Sequence, residues 1–498
     1  MAKGPQSPSD DRADDPLAAA LQPPPDESPE QRARREQQQR EATRVSLEID
    51  QGIQEAKKAY DRRKKAVKIL LLGQAESGKS TTLKNFQLAF SPSHFRNERL
   101  AWRTIVQLNL VRSVKTLLDV IQDEWTHPTE TSPAPLPSPP VPQLSEKARG
   151  KLPAGTRSIR FSAQPHASAS LTDVHARART RLMPLLAVEA ELTRRLFPEL
   201  ALPEVCVRAG NGWKDVLVQL HQASATSKGK SSRGGGGNGG GNGEKGDGAG
   251  TEELAALLEA CREDVVGLWE DAAVRAVLRR RAVRVEDMPG FFLNDAARVA
   301  SRAYEPTDDD IVRARLRTLG VEEHRFTMES GASGSEWYIY DVGGSRSMRP
   351  HWIPYFDDVQ AIIFLAPLAF NLMLEEDSKV NRLEDSITLW REICGNQLLG
   401  GATLILFFNK MDILQATLAS GIRVQKYVPS YGDQPNDVPH VVKYFRDKFR
   451  GYHKRLSPKP RPFYCHETSV IDTRATAVIL VGVREGILRA HLQSVNVI

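Results

Sequence analysis

The spacing of apolar positions changes several times along the chain, and each change marks an element. From about Glu30 to Lys65 the sequence is highly charged, and Val45, Ile49, Ile53, Ala56 and Tyr60 recur every three or four residues. That period predicts an amphipathic helix over 31–66 with a basic end, Lys57 to Lys68. Such a helix either packs as a solvated element or docks a partner or membrane surface, and the pattern alone does not separate these. Val67–Leu72 is a nearly continuous apolar run, expected as a buried strand, and a helix follows from near Lys79. A second helical pattern covers about Glu98 to Gln122, with Trp102, Val106, Leu110, Val114, Leu117 and Val120 on one side.

The pattern then breaks. Residues 127–142 hold seven prolines in sixteen positions, which predicts an extended, polyproline-like stretch, and 143–178 lack regular spacing. Helical spacing returns at about 179–198. A second break at 224–250 is rich in Gly, Ser, Asn and Lys and reads as a flexible loop. Its Gly run has no flanking strand, so it is not read as a phosphate loop. Helical character resumes over about 252–302. From Trp337 onward short apolar runs (Trp337–Tyr340, Ala361–Leu365, Leu404–Phe408, Pro462–Cys465) alternate with helix-length segments. Alternation of that kind predicts an α/β fold with a mostly parallel sheet flanked by helices. The expected organisation is a disordered tail over 1–30, the N-terminal helix 31–66, and an α/β domain over 67–92 and 310–498. That domain is split by an all-α insert at 93–309, with disordered stretches at about 126–178 and 224–250.

Composition narrows this picture. With 498 residues, 40% of them hydrophobic, the chain buries one large core or two moderate ones. The net charge of +6 is spread widely, so no nucleic-acid partner is implied. Cys206, Cys261, Cys394 and Cys465 lie far apart, which argues against a disulfide framework or a zinc site and fits a reducing cytosol. No run of about 18 apolar residues is present to span a bilayer. The start, Met-Ala-Lys-Gly-Pro, has neither a secretory h-region nor the second-position glycine of a myristoylation signal.

Three segments carry chemistry. Gly73-Gln-Ala-Glu-Ser-Gly78-Lys79-Ser80 fits G-x-x-x-x-G-K-[ST], between a predicted strand and a predicted helix. Its glycines let backbone N–H groups wrap a phosphate, Lys79 brings a charge to the outer phosphates, Ser80 offers a hydroxyl to Mg²⁺, and the helix N-terminus adds its dipole. Asp341-Val-Gly-Gly344 ends a strand, where the acid holds Mg²⁺ through water and the Gly344 N–H approaches a γ-phosphate. Asn409-Lys410-Met-Asp412 closes another strand. Asp412 accepts two hydrogen bonds from the N1–H and 2-amino group of guanine, which adenine does not offer, while Asn409 braces the loop and the Lys410 stem covers the base.

Gly73–Thr81, Asp341–Gly344 and Asn409–Asp412 are general to GTPases. Further segments resemble the alpha subunit of a heterotrimeric G protein, in a divergent, fungal-like form with long inserts in the helical domain. They are Glu76–Thr82, Leu268-Trp269-Glu270-Asp271, Asp310–Thr318, Asp341–Ser347, Asn381–Ser386 and Asp472-Thr473. The resemblance covers about 45–122 and 252–490, and it implies a Ras-like P-loop GTPase domain with an inserted helical domain. It implies a switch that binds GTP or GDP with Mg²⁺ and passes a receptor signal to effectors. By resemblance Arg315 is the arginine finger supplied in cis, Thr318 coordinates Mg²⁺ beside Ser80 and Asp341, and Glu76 pairs with Arg315. Ser77, Thr81, Val312 and Gly344 join the nucleotide site, with Asp287 and Arg313 contacting it from the helical side, and the Val470 N–H meets the base oxygen. Partners implied are a beta-gamma dimer, a G protein-coupled receptor and an unknown effector. The helix 45–65 and the segment with Arg346, Arg349 and Trp352 are the expected docking surface for the dimer.

The sequence departs from the family at three places. Ser345 stands where the family has the glutamine that orients the attacking water. Loss of such a preorganised group costs about 10²–10³ in rate, against the general figure of roughly 10⁻² s⁻¹ for alpha subunits with a cis arginine. The catalytic set expected is therefore Arg315, Ser345 and Lys79, with slow hydrolysis. The guanine-capping segment reads Thr468-Ser-Val-Ile471, not Thr-Cys-Ala-Thr. Both ends are altered, so a cytoplasmic protein is expected, peripheral at the inner face of the plasma membrane at most, through the basic face Lys57–Lys68. The alternative is a hydrolysis-deficient GTP-binding scaffold recruiting partners through its Pro-rich and Gly-rich stretches. A P-loop kinase using ATP is disfavoured by Asn409–Asp412.

Overall fold

Apolar runs bounded by glycine or polar turns become the strands of one sheet in the computed structural model. It describes residues 28–128, 171–196, 206–208, 217, 249–281, 283–327 and 336–494. In chain order the strands are β1 (Val67–Gly73), β2 (Cys206–Arg208), β3 (Arg317–Leu319), β4 (Val321–Thr327), β5 (Glu336–Val342), β6 (Ala361–Leu365), β7 (Thr403–Phe408) and β8 (Phe463–Glu467). Six of them form a sheet in the order β4-β5-β1-β6-β7-β8, parallel throughout except for the β4–β5 pair. β1 is buried along its whole length, as its unbroken apolar run requires of a central parallel strand. The register sets Leu71 beside Asp341 and Gly73 beside Leu365, so the loops after β1, β5 and β7 leave the same edge. Ligands of open α/β sheets sit at this carboxyl edge.

The antiparallel edge strand β4 is absent from the sequence reading. Val-Glu-Glu-His-Arg-Phe-Thr has too few apolar positions to mark a strand, because an edge strand leaves one side unpaired. β2 pairs with β3 in a separate two-stranded ribbon, also unforeseen.

Hydrophobic side chains gather in two clusters. One joins β1, β5, β6 and β7 to the helices Lys79–Phe90 and Thr473–Ser494 through Ile69, Leu71, Phe86, Trp337, Ile363 and Leu480. The other surrounds the helix Arg99–Thr126. All six residues of its expected stripe are buried, but so are Ile105, Leu108, Val111, Leu118 and Ile121. This helix runs through a core rather than along a surface. The stretch expected to be disordered to 178 ends earlier, since a helix spans Asp173–Leu196. Thr172 N–H donates to the buried His175 ring at 2.9 Å, a turn of local chemistry that a search for apolar spacing passes over. The helix Ala249–Ala260 takes the last two residues of the Gly-rich stretch. The rest of that stretch and almost all of the Pro-rich one lie outside the described residues. The N-terminal helix is Pro29–Lys65, a unit by itself, opened by a Ser28–Gln31 capping box with Pro29 in its first turn. Among the described residues no helix is long and apolar enough to cross a membrane.

The segment that delivers Arg315 to the site has a strong local lock. A Thr307–Asp310 capping box starts the helix Asp308–Arg313. The buried Asp310 carboxylate also takes a two-pronged bond from Arg298, at 2.6 and 2.7 Å, and the Tyr304 hydroxyl at 3.1 Å. Burial alone would raise its pKa, but Arg298 and the Thr307 N–H outweigh that and hold it at about 2. The sign follows: the unfolded carboxyl binds protons more readily, so this stabilisation is present above about pH 4 and is lost as pH falls towards 2. Asp310→Asn is expected to cost about 3 kcal/mol at pH 7. Urea unfolding measured across pH should show the gap to the native chain closing below pH 4; a constant gap would rule the ion pair out as its cause.

Candidate functional site

The loop after β1 is shaped by contacts that exclude side chains. Gly78 sits at φ +102°, and a Cβ there would lie 2.2 Å from Asn409 Nδ2. Glu76 holds a left-handed φ of 59° without being glycine, an arrangement that surrounding bonds must enforce. The helix Lys79–Phe90 starts at once, so its free N–H groups face the loop. Lys79 Nζ is buried and donates to the carbonyls of Gly73 at 3.0 Å and Gln74 at 2.6 Å. Burial, reinforced by Arg315, Arg349 and Arg382, lowers its pKa to about 8 despite Asp341.

Three oxygens converge beside it. Ser80 Oγ donates to Asp341 Oδ2 at 2.5 Å, Thr318 Oγ1 donates to the same oxygen at 3.1 Å, and the two hydroxyls are 3.2 Å apart. Asp341 is buried, burial raises its pKa, and its Oδ1 has no partner. A buried carboxylate oxygen without a donor, next to two hydroxyls, suits a hard divalent cation. Among the described residues no group of three or more His, Cys, Asp or Glu is arranged to hold a metal ion by itself. One carboxylate with hydroxyls is the sparse protein ligand set magnesium takes when phosphates complete its shell.

Beyond β5 the chain turns through Gly343 and Gly344. A Cβ on Gly344 would lie 2.3 Å from Ala75 N, so only glycine lets this turn press on the phosphate loop. Ser345 is buried at the head of the 3₁₀ helix Arg346–Tyr355, its hydroxyl 3.3 Å from Ser347 Oγ. It shares a small cleft with Lys79, Arg315, Thr318 and Gly344. Trp352, expected on a docking surface, is buried and donates its indole N–H to Gly343 O at 3.0 Å. Arg349 is likewise turned inward, gripping Asp385 at 2.5 and 3.1 Å. Trp352 is turned in because the segment folds back onto Gly343, and Arg349 because the Asp385 carboxylate draws it aside.

A second cleft of about 300 Å³ continues from the first and is large enough for a base with its sugar. Gly78, Thr81, Val312, Arg313, Arg315, Asn409, Lys410, Asp412 and Val470 all line it. Asn409 ties three segments together. Its Nδ2 donates to Ser77 O at 2.7 Å, and its Oδ1 accepts from Val470 N at 3.1 Å and Thr468 Oγ1 at 3.3 Å. The Val470 N–H is therefore bonded to Asn409 here. Lys410 takes a left-handed φ of 60°, and Asp412 accepts from Ser469 Oγ at 2.6 Å. Arg313 is anchored by Phe291 O and Asp295, both at 3.0 Å. The Asp287 backbone lies in the short turn Val285–Asp287 beside the cleft residues Glu286 and Met288.

Arg315 lines both clefts, with Nη2 3.4 Å from Glu76 Oε1. Burial raises the Glu76 pKa, but Arg315, Lys410 and Arg382 outweigh it and the carboxyl stays ionised below its usual range. Several supporting residues escape the sequence reading. Gln74 donates to Asp385 at 2.6 Å and to Arg382 O at 2.7 Å, and Arg382 reaches Glu76 at 3.3 Å. Asn109 bonds the Arg315 backbone. The available signal for Asn109 was an amide set between leucines in a predicted helix.

The comparisons with known proteins bear on the whole arrangement. The G-protein alpha subunit family (G-alpha) matches residues 43–487. The chain is also similar to the guanine nucleotide-binding protein alpha-4 subunit of Mycosarcoma maydis, 32% identical over 497 residues covering 86% of this chain and 83% of the relative. With the phosphate loop, the acid-and-hydroxyl cluster and Asn409–Asp412 meeting at one sheet edge, this chain belongs to the G-protein alpha subunit family.

Proposed function

We propose that this chain is a GTP-binding signalling switch that hydrolyses GTP slowly and so spends long periods GTP-loaded. GTP binding and signal transduction follow from the family. The observation that carries the slow cycle is Ser345 in the cleft with Lys79 and Arg315. Gly73–Thr81 cradle the phosphates, with Lys79 as their cation, while Asp412 reads guanine and Val470, its N–H on Asn409, lines the base-side cleft. Ser80, Thr318 and Asp341 are the residues that would hold Mg²⁺, which supplies charge neutralisation of the phosphates when bound. Arg315 brings its guanidinium to the charge that builds on the transferring phosphoryl group. Ser345 offers one hydroxyl where a longer side chain would orient water. A beta-gamma dimer, a receptor and an effector are the partners proposed, answering to switch segments near Thr318 and 344–352 that order with the γ-phosphate.

A hydrolysis-deficient scaffold is the second reading, and Ser345 favours it too. The discriminating experiment identifies nucleotide retained by the purified protein, by chromatography, with GTP turnover measured alongside. GDP retained after slow turnover is the expected result. GTP retained without turnover would favour the scaffold, and no guanine nucleotide, or displacement by ADP as readily as by GDP, would sink both.

A further inference from the structure

We infer that Asn109 is a positioning residue for Arg315, clamping the arginine's backbone from the helix Arg99–Thr126. The inference rests on the reading of Arg315 as the arginine that serves hydrolysis. Asn109 is 3% exposed and lies between Leu108 and Leu110. An amide so placed costs stability unless both its ends are bonded. Both ends are bonded to the same residue, 206 positions away. Arg315 N–H donates to Asn109 Oδ1 at 2.6 Å, and Asn109 Nδ2 donates to Arg315 O at 3.0 Å. These two bonds fix both peptide planes flanking the Arg315 Cα, and with them the direction in which its side chain leaves the backbone.

The surroundings leave the pair little freedom. Gly290, at φ +76°, closes on it, and a Cβ there would stand 2.7 Å from both Arg315 Cβ and Asn109 Oδ1. Just upstream, Lys84 donates to Ile311 O at 3.0 Å and Ala314 O at 2.7 Å, its ammonium 4.2 Å from the Trp102 ring centre. The turn before Arg315 is thus pinned to the helix that follows the phosphate loop, while Arg315 itself is pinned to the long helix of the insert. A transition-state cation acts best when nothing must reorganise, and a displacement of about 1 Å costs on the order of 10²-fold in rate. Loss of the clamp therefore lowers turnover and spares ground-state binding.

The test is single-turnover GTP hydrolysis by the full chain and by Asn109→Leu, Arg315→Ala and the double variant. Affinity for a non-hydrolysable GTP analogue is measured in parallel. Asn109→Leu is expected to slow hydrolysis about 10- to 100-fold with analogue affinity unchanged, and to add nothing once Arg315 is alanine. Asn109→Ser, which loses the amide bond to the Arg315 carbonyl without burying a charge, is expected to slow hydrolysis likewise, and it carries the same comparison if Asn109→Leu does not fold. An unchanged rate in Asn109→Leu overturns the inference. So does an equal loss with and without Arg315, or a loss confined to analogue affinity. If Arg315→Ala alone leaves hydrolysis unaltered, the function assigned to Arg315 fails first and the clamp loses its purpose with it.

Discussion

Arg315→Ala is expected to slow single-turnover GTP hydrolysis by about 10³-fold or more, the general scale for an arginine acting on a transferring phosphoryl group. The geometry says why the loss should fall on turnover. Arg315 lines both the phosphate-side and the base-side cleft, and its guanidinium stands 3.4 Å from Glu76, itself on the phosphate loop. If Arg315 serves hydrolysis as proposed, its guanidinium, held by the largely buried Glu76 carboxylate, meets the developing charge with less screening than at the open surface. Binding has other cations: Lys79 is buried in the loop, and Arg382 remains on Glu76. Affinity for a non-hydrolysable analogue is accordingly expected to change little. Arg315→Lys keeps a charge but loses the planar fork, and an intermediate rate is expected. A rate within tenfold of the native chain for Arg315→Ala would remove it from the hydrolytic machinery.

What was legible in the sequence was what adjacent residues decide. The phosphate loop, Asp341–Gly344 and Asn409–Asp412 each announce themselves within a few positions, because a turn at the end of a buried strand needs those residue types together. Ala361–Leu365 is a strand over the same five residues the apolar run predicts. Illegible features depend on distant or weakly patterned partners. β4 exists because Val321–Thr327 finds β5, and its own alternation says little. Gln74 looked like a spacer in the motif until Asp385, 311 residues on, gave its amide a carboxylate. Asn109 needed Arg315 to explain an amide inside a core. Trp352 was misjudged for the same reason: exposure of a tryptophan in a polar segment depends on where the segment folds, and this one returns to Gly343.

Ser345→Gln is expected to raise single-turnover hydrolysis about 10²-fold, the usual worth of one preorganised polar group at a reacting centre. Ser345 lines the phosphate-side cleft with a short side chain. It follows Gly344, whose backbone presses on Ala75, and it shares the cleft with Lys79, Arg315 and Thr318. Its hydroxyl, 3.3 Å from Ser347 Oγ, is one polar atom on Cβ. A glutamine carries an acceptor and a donor two carbons further out, enough to hold a water and a phosphoryl oxygen at once. The remaining parts are in place: an arginine in cis and the Ser80, Thr318 and Asp341 oxygens in contact with one another. Restoring the missing side chain therefore needs no other change, and Arg315→Ala should cancel most of the gain, since water orientation and charge stabilisation act on the same transition state. Two results would refute this account of Ser345. One is a native chain that already turns over near 10⁻² s⁻¹, the general figure for alpha subunits with a cis arginine. The other is a Ser345→Gln variant that binds the GTP analogue normally and hydrolyses GTP no faster.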